Sequence, residues 1–182
     1  MSEWYFAYGA NMASEVLARR GLVSLESHAA RLDDHELRFE EPGVPWIEPV
    51  FASIAEAPGR HVHGVLHRLS EADLAQLDQF EGLGYDRRGG LVEARDLGSV
   101  DAFFYAARRH VRGRRPSRRY VRLLVAGARE HRLPPEWIDR LAAEPTFHVP
   151  IVSHLGPTMM VVIEQLTKRS PRAEAWLRRR TG

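Results

Sequence analysis

The sequence predicts a single α+β domain with a curved sheet that is largely antiparallel or mixed. Segments with strand character dominate the middle of the chain, and helical segments are interspersed among them, which is typical of this class. The chain has 182 residues, of which 44% are apolar, and a domain of that length buries enough surface to form one core. No internal repeat, low-complexity tract or linker divides it. We therefore expect residues 1–182 to form one domain.

Six strands are predicted in the first two thirds of the chain. The first is aromatic and extended in character and ends at Gly9. Pro58 and Gly59 form a turn signal, so the strands on either side of them are expected to form a hairpin. Gly98 marks a later turn between two strands. The predicted strands cover residues 4–8, 31–39, 50–57, 61–69, 91–96 and 100–106.

Four helices are predicted between and after these strands. Ser70 is a suitable N-cap for the second helix, because its hydroxyl and the carboxylate of Asp73 can satisfy two N–H groups at the helix start. Gly21 and Gly82 end the first and second helices, and Ser117 opens the third. The predicted helices cover residues 13–20, 71–81, 117–131 and 136–143.

The composition excludes several kinds of functional site and partner. The chain contains no cysteine, which rules out a disulfide scaffold, a thiol nucleophile, an iron–sulfur cluster and cysteine-rich zinc sites. No apolar run approaches eighteen residues, so we expect no membrane partner. The first residues carry an acid, Glu3, and lack the basic start of a signal peptide. The default compartment is therefore the cytoplasm.

An arginine-rich segment, residues 108–122, holds eight arginines and no acid. Such a cluster is compatible with a nucleic-acid-binding patch. However, only Tyr105 and Tyr120 lie nearby as stacking aromatics, and no recognised nucleic-acid motif accompanies the segment. A solvated basic face is the interpretation that we favour over a nucleic-acid partner. Electrostatic attraction of anionic substrates fits either interpretation.

Three histidines on one predicted strand, His61, His63 and His67, raise the question of a metal site. His61 and His63 share a strand face, but a metal needs three or four converging ligands, and no convincing third and fourth ligand accompanies them. Ordinary strand histidines are the favoured interpretation, and we predict no metal. The motifs of serine hydrolases, phosphate loops, dinucleotide-binding sites and zinc proteases are also absent from the sequence.

Glu81 does not fit the apolar pattern of its predicted helix. It follows Leu74 and Leu77 at helical spacing, so its carboxylate lies on the stripe that these leucines should bury. Burial and the negative end of the helix dipole both raise the pKa of a carboxyl in this position, which suits proton transfer near neutral pH. The alternative is that Glu81 turns outward, or forms an ordinary salt bridge with Arg87 or Arg88. The helix alone leaves both interpretations open.

A second candidate for chemistry is the loop Tyr8-Gly9-Ala10-Asn11, where a strand passes through a glycine into a helix. Such a turn can point several backbone N–H groups at one place, where a developing oxyanion or a substrate carboxylate can bind. The alternative is that Gly9 only makes the bend.

Three groups of residues, in this order along the chain, resemble the γ-glutamylcyclotransferase family. The first contains Tyr8-Gly9-Ala10-Asn11, which is similar to the family's N-terminal Tyr-Gly-Ser-Asn motif. The second resembles the segment that holds the family's catalytic glutamate, and the third resembles its C-terminal helix region. The three groups are residues 5–12; residues 64–66, 77–82 and 85; and residues 116–120, 127–128 and 133–134. Together the resemblance covers roughly residues 4–145.

The resemblance implies a barrel-like mixed β-sheet flanked by helices, in which the loop and the glutamate meet in one cavity. Carried over by motif, Glu81 is the acid/base residue. Ala10 stands where the family has serine, which removes a hydroxyl but leaves the backbone N–H in place. The implied substrate contacts are Tyr8, Gly9, Ala10, Asn11, Tyr85 and Tyr120.

The implied reaction is the cyclisation of a γ-glutamyl amide to 5-oxoproline, with release of an amine or amino acid. The partner is a small-molecule γ-glutamyl substrate, whose own α-amine is placed to attack the γ-carbonyl. The reaction then needs only a group that moves protons and N–H groups that stabilise the oxyanion. No cofactor is expected.

Two other functions stay open. One is a related enzyme that removes a γ-glutamyl group from a special amine or a biosynthetic intermediate. The other is a non-catalytic module that binds a small molecule in the same pocket, or nucleic acid through the arginine-rich segment. Fold alone does not decide between catalysis and binding.

Residues 147–182 form a C-terminal extension with no clear counterpart in the resemblance. A strand at residues 159–163 and a basic helix at residues 173–180 are expected within it. The extension has three candidate roles: it completes the sheet, covers the pocket or forms a homodimer contact. The sequence does not choose between them.

Overall fold

The computed structural model describes residues 2–44, 47–82 and 84–147, in which five strands and four helices form an α+β fold. The strand predicted at residues 159–163 and the helix predicted at residues 173–180 lie outside the described residues. Of the helices in the described ranges, none combines the length and apolar character that crossing a membrane requires.

The predicted helices are confirmed to within a residue or two at each end, and the strands are longer than predicted. The strands are β1 Ser2–Ala7, β2 Ser24–Val44, β3 Glu48–Ser70, β4 Tyr85–Ala94 and β5 Gly98–Ala107. The helices are α1 Ser14–Arg19, α2 Glu71–Glu81, α3 Arg118–Glu130 and α4 Pro135–Ala142. A 3-10 turn at Ala10–Met12 connects β1 to α1.

The five strands close into a barrel in the order β1-β3-β2-β4-β5. Neighbouring strands pair antiparallel, except at the closure, where β1 meets β5 in parallel at Tyr5 and Phe103. Closure removes the exposed sheet edges, and core side chains such as Phe6, Val65 and Leu66 are completely buried. The predicted α+β class and mixed curved sheet are confirmed, as is the barrel that the family resemblance implies.

The hairpin predicted at Pro58 and Gly59 is wrong. The strands predicted on either side of this pair both belong to β3, which runs without reversal for 23 residues. The chain instead reverses between Val44 and Glu48, so that β2 and β3 form one long hairpin.

Pro58 and Gly59 form a bulge rather than a turn. The pairing of β2 with β3 jumps from Asp33–His61 to His35–Glu56, so residues 57–60 all lie opposite Asp34. Gly59 has a φ of 77°, and its N–H donates a hydrogen bond to the Asp34 carboxylate at 2.8 Å. Bulges use the same left-handed glycine conformation as tight turns, which is why the sequence signal was ambiguous.

Helix α2 buries one face, as its sequence pattern predicts. The Ser70 hydroxyl accepts a hydrogen bond from the Asp73 N–H at 3.2 Å, which confirms the predicted N-cap. Leu74 and Leu77 lie on the buried face, and Glu81 joins them at the last turn. The helix therefore carries a carboxylate into the protein interior.

Helix α3 approaches the 3-10 turn closely at Gly127. A Cβ at this position would lie 2.7 Å from the backbone nitrogen of Ala13 and 2.8 Å from Met12. Both distances are far below van der Waals contact, so only glycine permits this approach. The backbone of α3 thus fixes the position of the turn.

We expect Gly127→Ala to lower the free energy of unfolding by about 1–3 kcal/mol, because overpacking outweighs the gain in helix propensity. Urea unfolding measures the change. Gly89→Ala is the control, since a Cβ at Gly89 would meet no atom within 4 Å, and it should change stability by no more than about 0.5 kcal/mol. Equal effects of the two substitutions would contradict the tight contact.

Candidate active site

A cavity of about 90 Å³ lies where the end of β1, the 3-10 turn and helices α1, α2 and α3 meet. All seven sequence-predicted site residues line it, although they come from positions as far apart as 8 and 120. These residues are Tyr8, Gly9, Ala10, Asn11, Glu81, Tyr85 and Tyr120. The structure therefore brings the predicted loop and the predicted carboxylate together.

Glu81 is buried, with 8% of its surface exposed. Its Oε1 accepts a hydrogen bond from Arg20 Nη1 at 2.6 Å and one from Asn11 Nδ2 at 3.3 Å. A salt bridge with Arg87 or Arg88 is therefore wrong: Arg87 contacts Asp78 on the outer face of α2, and Arg88 contacts Glu56. Glu81 faces inward because it shares the stripe of the buried leucines, out of reach of both arginines.

Arg20 is a site residue that the sequence did not reveal. It follows α1, only 7% of its surface is exposed, and its guanidinium lies 5.1 Å from the centre of the Phe80 ring. The Gln76 side-chain amide donates a hydrogen bond to the Arg20 carbonyl. A buried carboxylate requires a partner, but the separation of 61 residues hides which arginine supplies it.

Asn11 connects the loop to the ion pair. Its Nδ2 donates to Glu81 and also to the Tyr5 hydroxyl, at 3.0 Å. On the same loop, the Tyr8 hydroxyl donates to the Tyr105 carbonyl of β5. Burial raises the pKa of Tyr5 and of Tyr8 well above the usual value, so both phenols stay protonated at neutral pH. The loop is thus attached to the barrel by neutral hydrogen bonds and to α2 by the hydrogen bond from Asn11 to the Glu81 carboxylate.

Tyr85 and Tyr120 both hold the backbone of β3 at Ala52. The Tyr85 hydroxyl donates to the Ala52 carbonyl at 2.8 Å, and the Tyr120 hydroxyl accepts from the Ala52 N–H at 3.2 Å. The Tyr120 oxygen also lies 3.3 Å from the place where a Cβ of Gly9 would stand. A side chain at position 9 would therefore press on Tyr120, so Gly9 does more than make the bend.

His67 is a buried support beneath the loop, with no exposed surface. Its Nε2 lies 3.1 Å from the Asn11 carbonyl and its Nδ1 lies 2.8 Å from the Ser27 hydroxyl. A carbonyl can only accept, so Nε2 carries the proton and Nδ1 accepts from Ser27. Burial lowers the pKa of His67 to about 3, which keeps the ring neutral.

The other two histidines of the strand lie together elsewhere. The His61 and His63 rings are 5.0 Å apart, and His63 also packs edge-on against Trp137. Within residues 2–44, 47–82 and 84–147, no three histidine, aspartate or glutamate side chains converge as a metal site would require.

A second buried carboxylate, Glu48, lines another part of the cavity and was not predicted. It has no exposed surface, and its oxygens accept hydrogen bonds from the Ser117 N–H at 2.8 Å and from the Ser117 hydroxyl. Arg119 Nη2 lies 3.5 Å from it. Burial raises the pKa of Glu48 to about 7. This carboxyl therefore changes its charge near neutral pH.

Most of the arginine-rich segment faces solvent, in agreement with the predicted basic face. Six of its eight arginines are exposed, and two of these, Arg108 and Arg109, lie within salt-bridge distance of Asp86 and Glu41. Arg119 differs from the rest of the segment because it lines the cavity.

Sequence comparison relates the chain to known proteins. A model of the family described as gamma-glutamyl cyclotransferase, AIG2-like, matches residues 5–122, which include the loop, Glu81 and Tyr120. The gamma-glutamyl cyclotransferase gliK of Aspergillus fumigatus is 28% identical, over 83% of this chain and 65% of its own length. The gamma-glutamylcyclotransferase of Mus musculus is 28% identical, over 76% of this chain and 77% of its own length.

Structural comparison agrees on the fold. A solved structure named gamma-glutamyl cyclotransferase superposes with a TM-score of 0.76 at 24% identity. The match covers 91% of this chain and 99% of that chain. At this identity the likeness shows a common fold and no more.

His67→Leu should lower the free energy of unfolding by about 1–3 kcal/mol, because the buried Asn11 carbonyl loses its donor. His67→Gln is the matched control, since its side-chain amide can still donate to that carbonyl. We expect it to lose clearly less stability in urea unfolding. Equal losses for Leu and Gln would show that His67 acts only through its volume.

Glu48 should make stability fall as the pH rises from about 4.5 to about 7, because its pKa is higher in the folded protein than in the unfolded chain. The full effect is roughly 3 kcal/mol. The measurement is urea unfolding at several pH values for wild type and Glu48→Gln. The difference between the two curves isolates Glu48, since every other ionisable group is common to both proteins. A pH-independent difference would contradict the shifted pKa.

Proposed function

The chain belongs to the gamma-glutamyl cyclotransferase, AIG2-like family, and on this premise we propose that this enzyme cyclises a small-molecule γ-glutamyl amide to 5-oxoproline, with Glu81 as the acid/base residue. One observation carries the proposal. The buried carboxylate of Glu81 and the Tyr8-to-Asn11 loop line the same cavity and are joined by a hydrogen bond of 3.3 Å.

The substrate supplies its own nucleophile in this reaction. The α-amine of a γ-glutamyl group can reach the γ-carbonyl carbon and close a five-membered ring. Well-oriented intramolecular attack has an effective molarity of about 10⁵ to 10⁸ M, so the enzyme chiefly has to fold the substrate and move protons. A small cavity whose walls are held by hydrogen bonds suits that task.

Glu81 carries protons between the two nitrogens. It takes a proton from the α-ammonium group, and the freed amine attacks the γ-carbonyl carbon to form the lactam C–N bond. The bond from that carbon to the leaving nitrogen breaks, and the proton passes to this nitrogen. In total the α-nitrogen loses two protons and the leaving nitrogen gains two, so Glu81 ends as a carboxylate. Arg20 and Asn11 hold the carboxylate in place through Oε1.

The Tyr8-to-Asn11 loop stabilises the developing oxyanion through its backbone N–H groups. The first N–H groups of a helical turn have no acceptor within the turn, and the 3-10 turn at Ala10–Met12 begins at the cavity wall. Ala10 provides such a backbone N–H without the hydroxyl of the family's serine. Tyr85 and Tyr120 line the wall around Ala52 and contact the bound substrate.

Glu81→Gln should reduce 5-oxoproline release by about 10² to 10⁴-fold, because the amide cannot take a proton from the α-ammonium group. The assay is mass-spectrometric detection of 5-oxoproline from a panel of γ-glutamyl amino acids and amines. Substrate binding should remain measurable by calorimetry.

Glu71→Gln is the control for this experiment, since it makes the same change at an exposed position of the same helix. Its kinetics should match those of the wild type. Circular dichroism checks that Glu81→Gln is folded, because it leaves Arg20 without its buried partner. Full activity of a folded Glu81→Gln protein would remove Glu81 from the mechanism.

A further inference from the structure

Arg119 is a cavity-lining arginine with an unsatisfied donor. It lines the cavity wall, and its side chain is only 13% exposed. Among the described residues, its buried Nη1 has no hydrogen-bond acceptor. A buried donor without a partner is costly and uncommon in folded proteins. Because Arg119 lines the cavity, its guanidinium gains a partner when a ligand brings an acceptor to it.

Glu48 does not neutralise Arg119 fully. The distance from Arg119 Nη2 to Glu48 is 3.5 Å, at the outer limit of a hydrogen bond. Both Glu48 oxygens already accept shorter bonds from Ser117. With a pKa of about 7, Glu48 also carries only part of its charge at neutral pH. The guanidinium therefore keeps a positive charge that an anionic group of a ligand can neutralise.

The cavity as a whole carries more positive than negative groups. Three arginines line it, Arg19, Arg20 and Arg119, against two glutamates, Glu48 and Glu81. Arg20 is engaged by Glu81 at 2.6 Å, and this pair sits beside Asn11, where the substrate's α-amine has to bind. Arg119 belongs to the separate group around Glu48 and Ser117. It is thus placed to bind a part of the substrate other than the α-amine.

We propose that Arg119 is a specificity-determining residue that binds a carboxylate on the leaving group of the γ-glutamyl substrate. A planar guanidinium matches a carboxylate with two parallel hydrogen bonds. The preferred substrates then release an amino acid or another carboxylate-bearing amine. This inference rests on the proposed cyclotransferase function.

The test compares γ-glutamylalanine with γ-glutamylethylamide, which lacks the leaving-group carboxylate. Wild-type protein should favour γ-glutamylalanine in kcat/KM by about 10- to 100-fold, the range for a hydrogen bond to a charged group. Arg119→Gln should bring the two substrates within about 3-fold of each other. The change should come from a higher KM for γ-glutamylalanine, with the ethylamide unaffected.

Two further variants make the result specific. Arg119→Lys keeps the charge but not the planar fork, and it should restore part of the preference. Arg118→Gln removes an exposed arginine from the adjacent position of the same helix and should leave both substrates unchanged.

The outcomes separate this inference from the proposed function. Equal use of both substrates by wild type would overturn the inference and leave the cyclotransferase intact. An equal loss on both substrates in Arg119→Gln would assign the residue to the glutamyl α-carboxylate instead, which also overturns it. An unchanged preference in Arg119→Gln would remove Arg119 from recognition. Turnover of neither substrate by wild type would contradict the cyclotransferase function itself.

Discussion

A buried ion pair between Arg20 and Glu81 ties together the parts of the cavity. Arg20 follows α1, Glu81 ends α2, and Asn11 bonds to the same carboxylate oxygen from the loop after β1. Burying two charges is costly, and a hydrophobic pair of similar volume would often be as stable or more so. The need for a charged group at this place therefore explains the pair better than a gain in stability does. The rest of the fold keeps that group dry, paired and accessible from the cavity.

Hydrogen bonds to the barrel strands hold the cavity wall around the Arg20–Glu81 pair in place. Phenol hydroxyls at the end of the barrel bond to strand carbonyls and N–H groups at Ala52 and Tyr105. Burial raises the pKa of Tyr8 and Tyr85, so these hydroxyls act as fixed neutral dipoles over the whole physiological pH range. Burial raises the pKa of the cavity-lining Glu48 to about 7, so the charge of this carboxyl changes near neutral pH. His67 and Gly127 complete the support of the loop, one by a hydrogen bond and the other by leaving room.

Short-range patterns in the sequence predicted most of the features that depend on neighbouring residues, such as helix ends and buried helix faces. The Ser70 and Ser117 caps and the buried stripe of α2 follow from short-range spacing, whereas the same spacing left the direction of the Glu81 side chain open. The barrel and the meeting of the loop with Glu81 followed from the family resemblance, because periodicity alone does not fix how strands pair. Pro58-Gly59 misled because a bulge and a turn need the same backbone conformation.

Short-range patterns do not predict which side chains from distant parts of the chain contact one another. Glu81 needed a cation, but Arg87 and Arg88 are near in sequence and Arg20 is near in space. Glu48 lies 69 residues from Ser117, and nothing in its local sequence marks it as buried. Arg119 is one of eight arginines within a fifteen-residue segment that the sequence predicts as a solvated basic face. Arg119 lines the cavity and the other arginines of the segment do not, because of the direction in which its side chain leaves α3.

The long-range hydrogen bonds around the cavity also determine when the cavity can form during synthesis of the chain. Tyr8 reaches Tyr105 across 97 residues, Asn11 reaches Glu81 across 70, and β1 can close the barrel only against β5. On the ribosome the loop emerges long before these partners, and domains of this kind gain their packing once the whole unit is out. A nascent chain halted before α3 would already carry the loop and Glu81, yet it would have no enclosed chamber. The cavity is thus completed only after α3 has been synthesised.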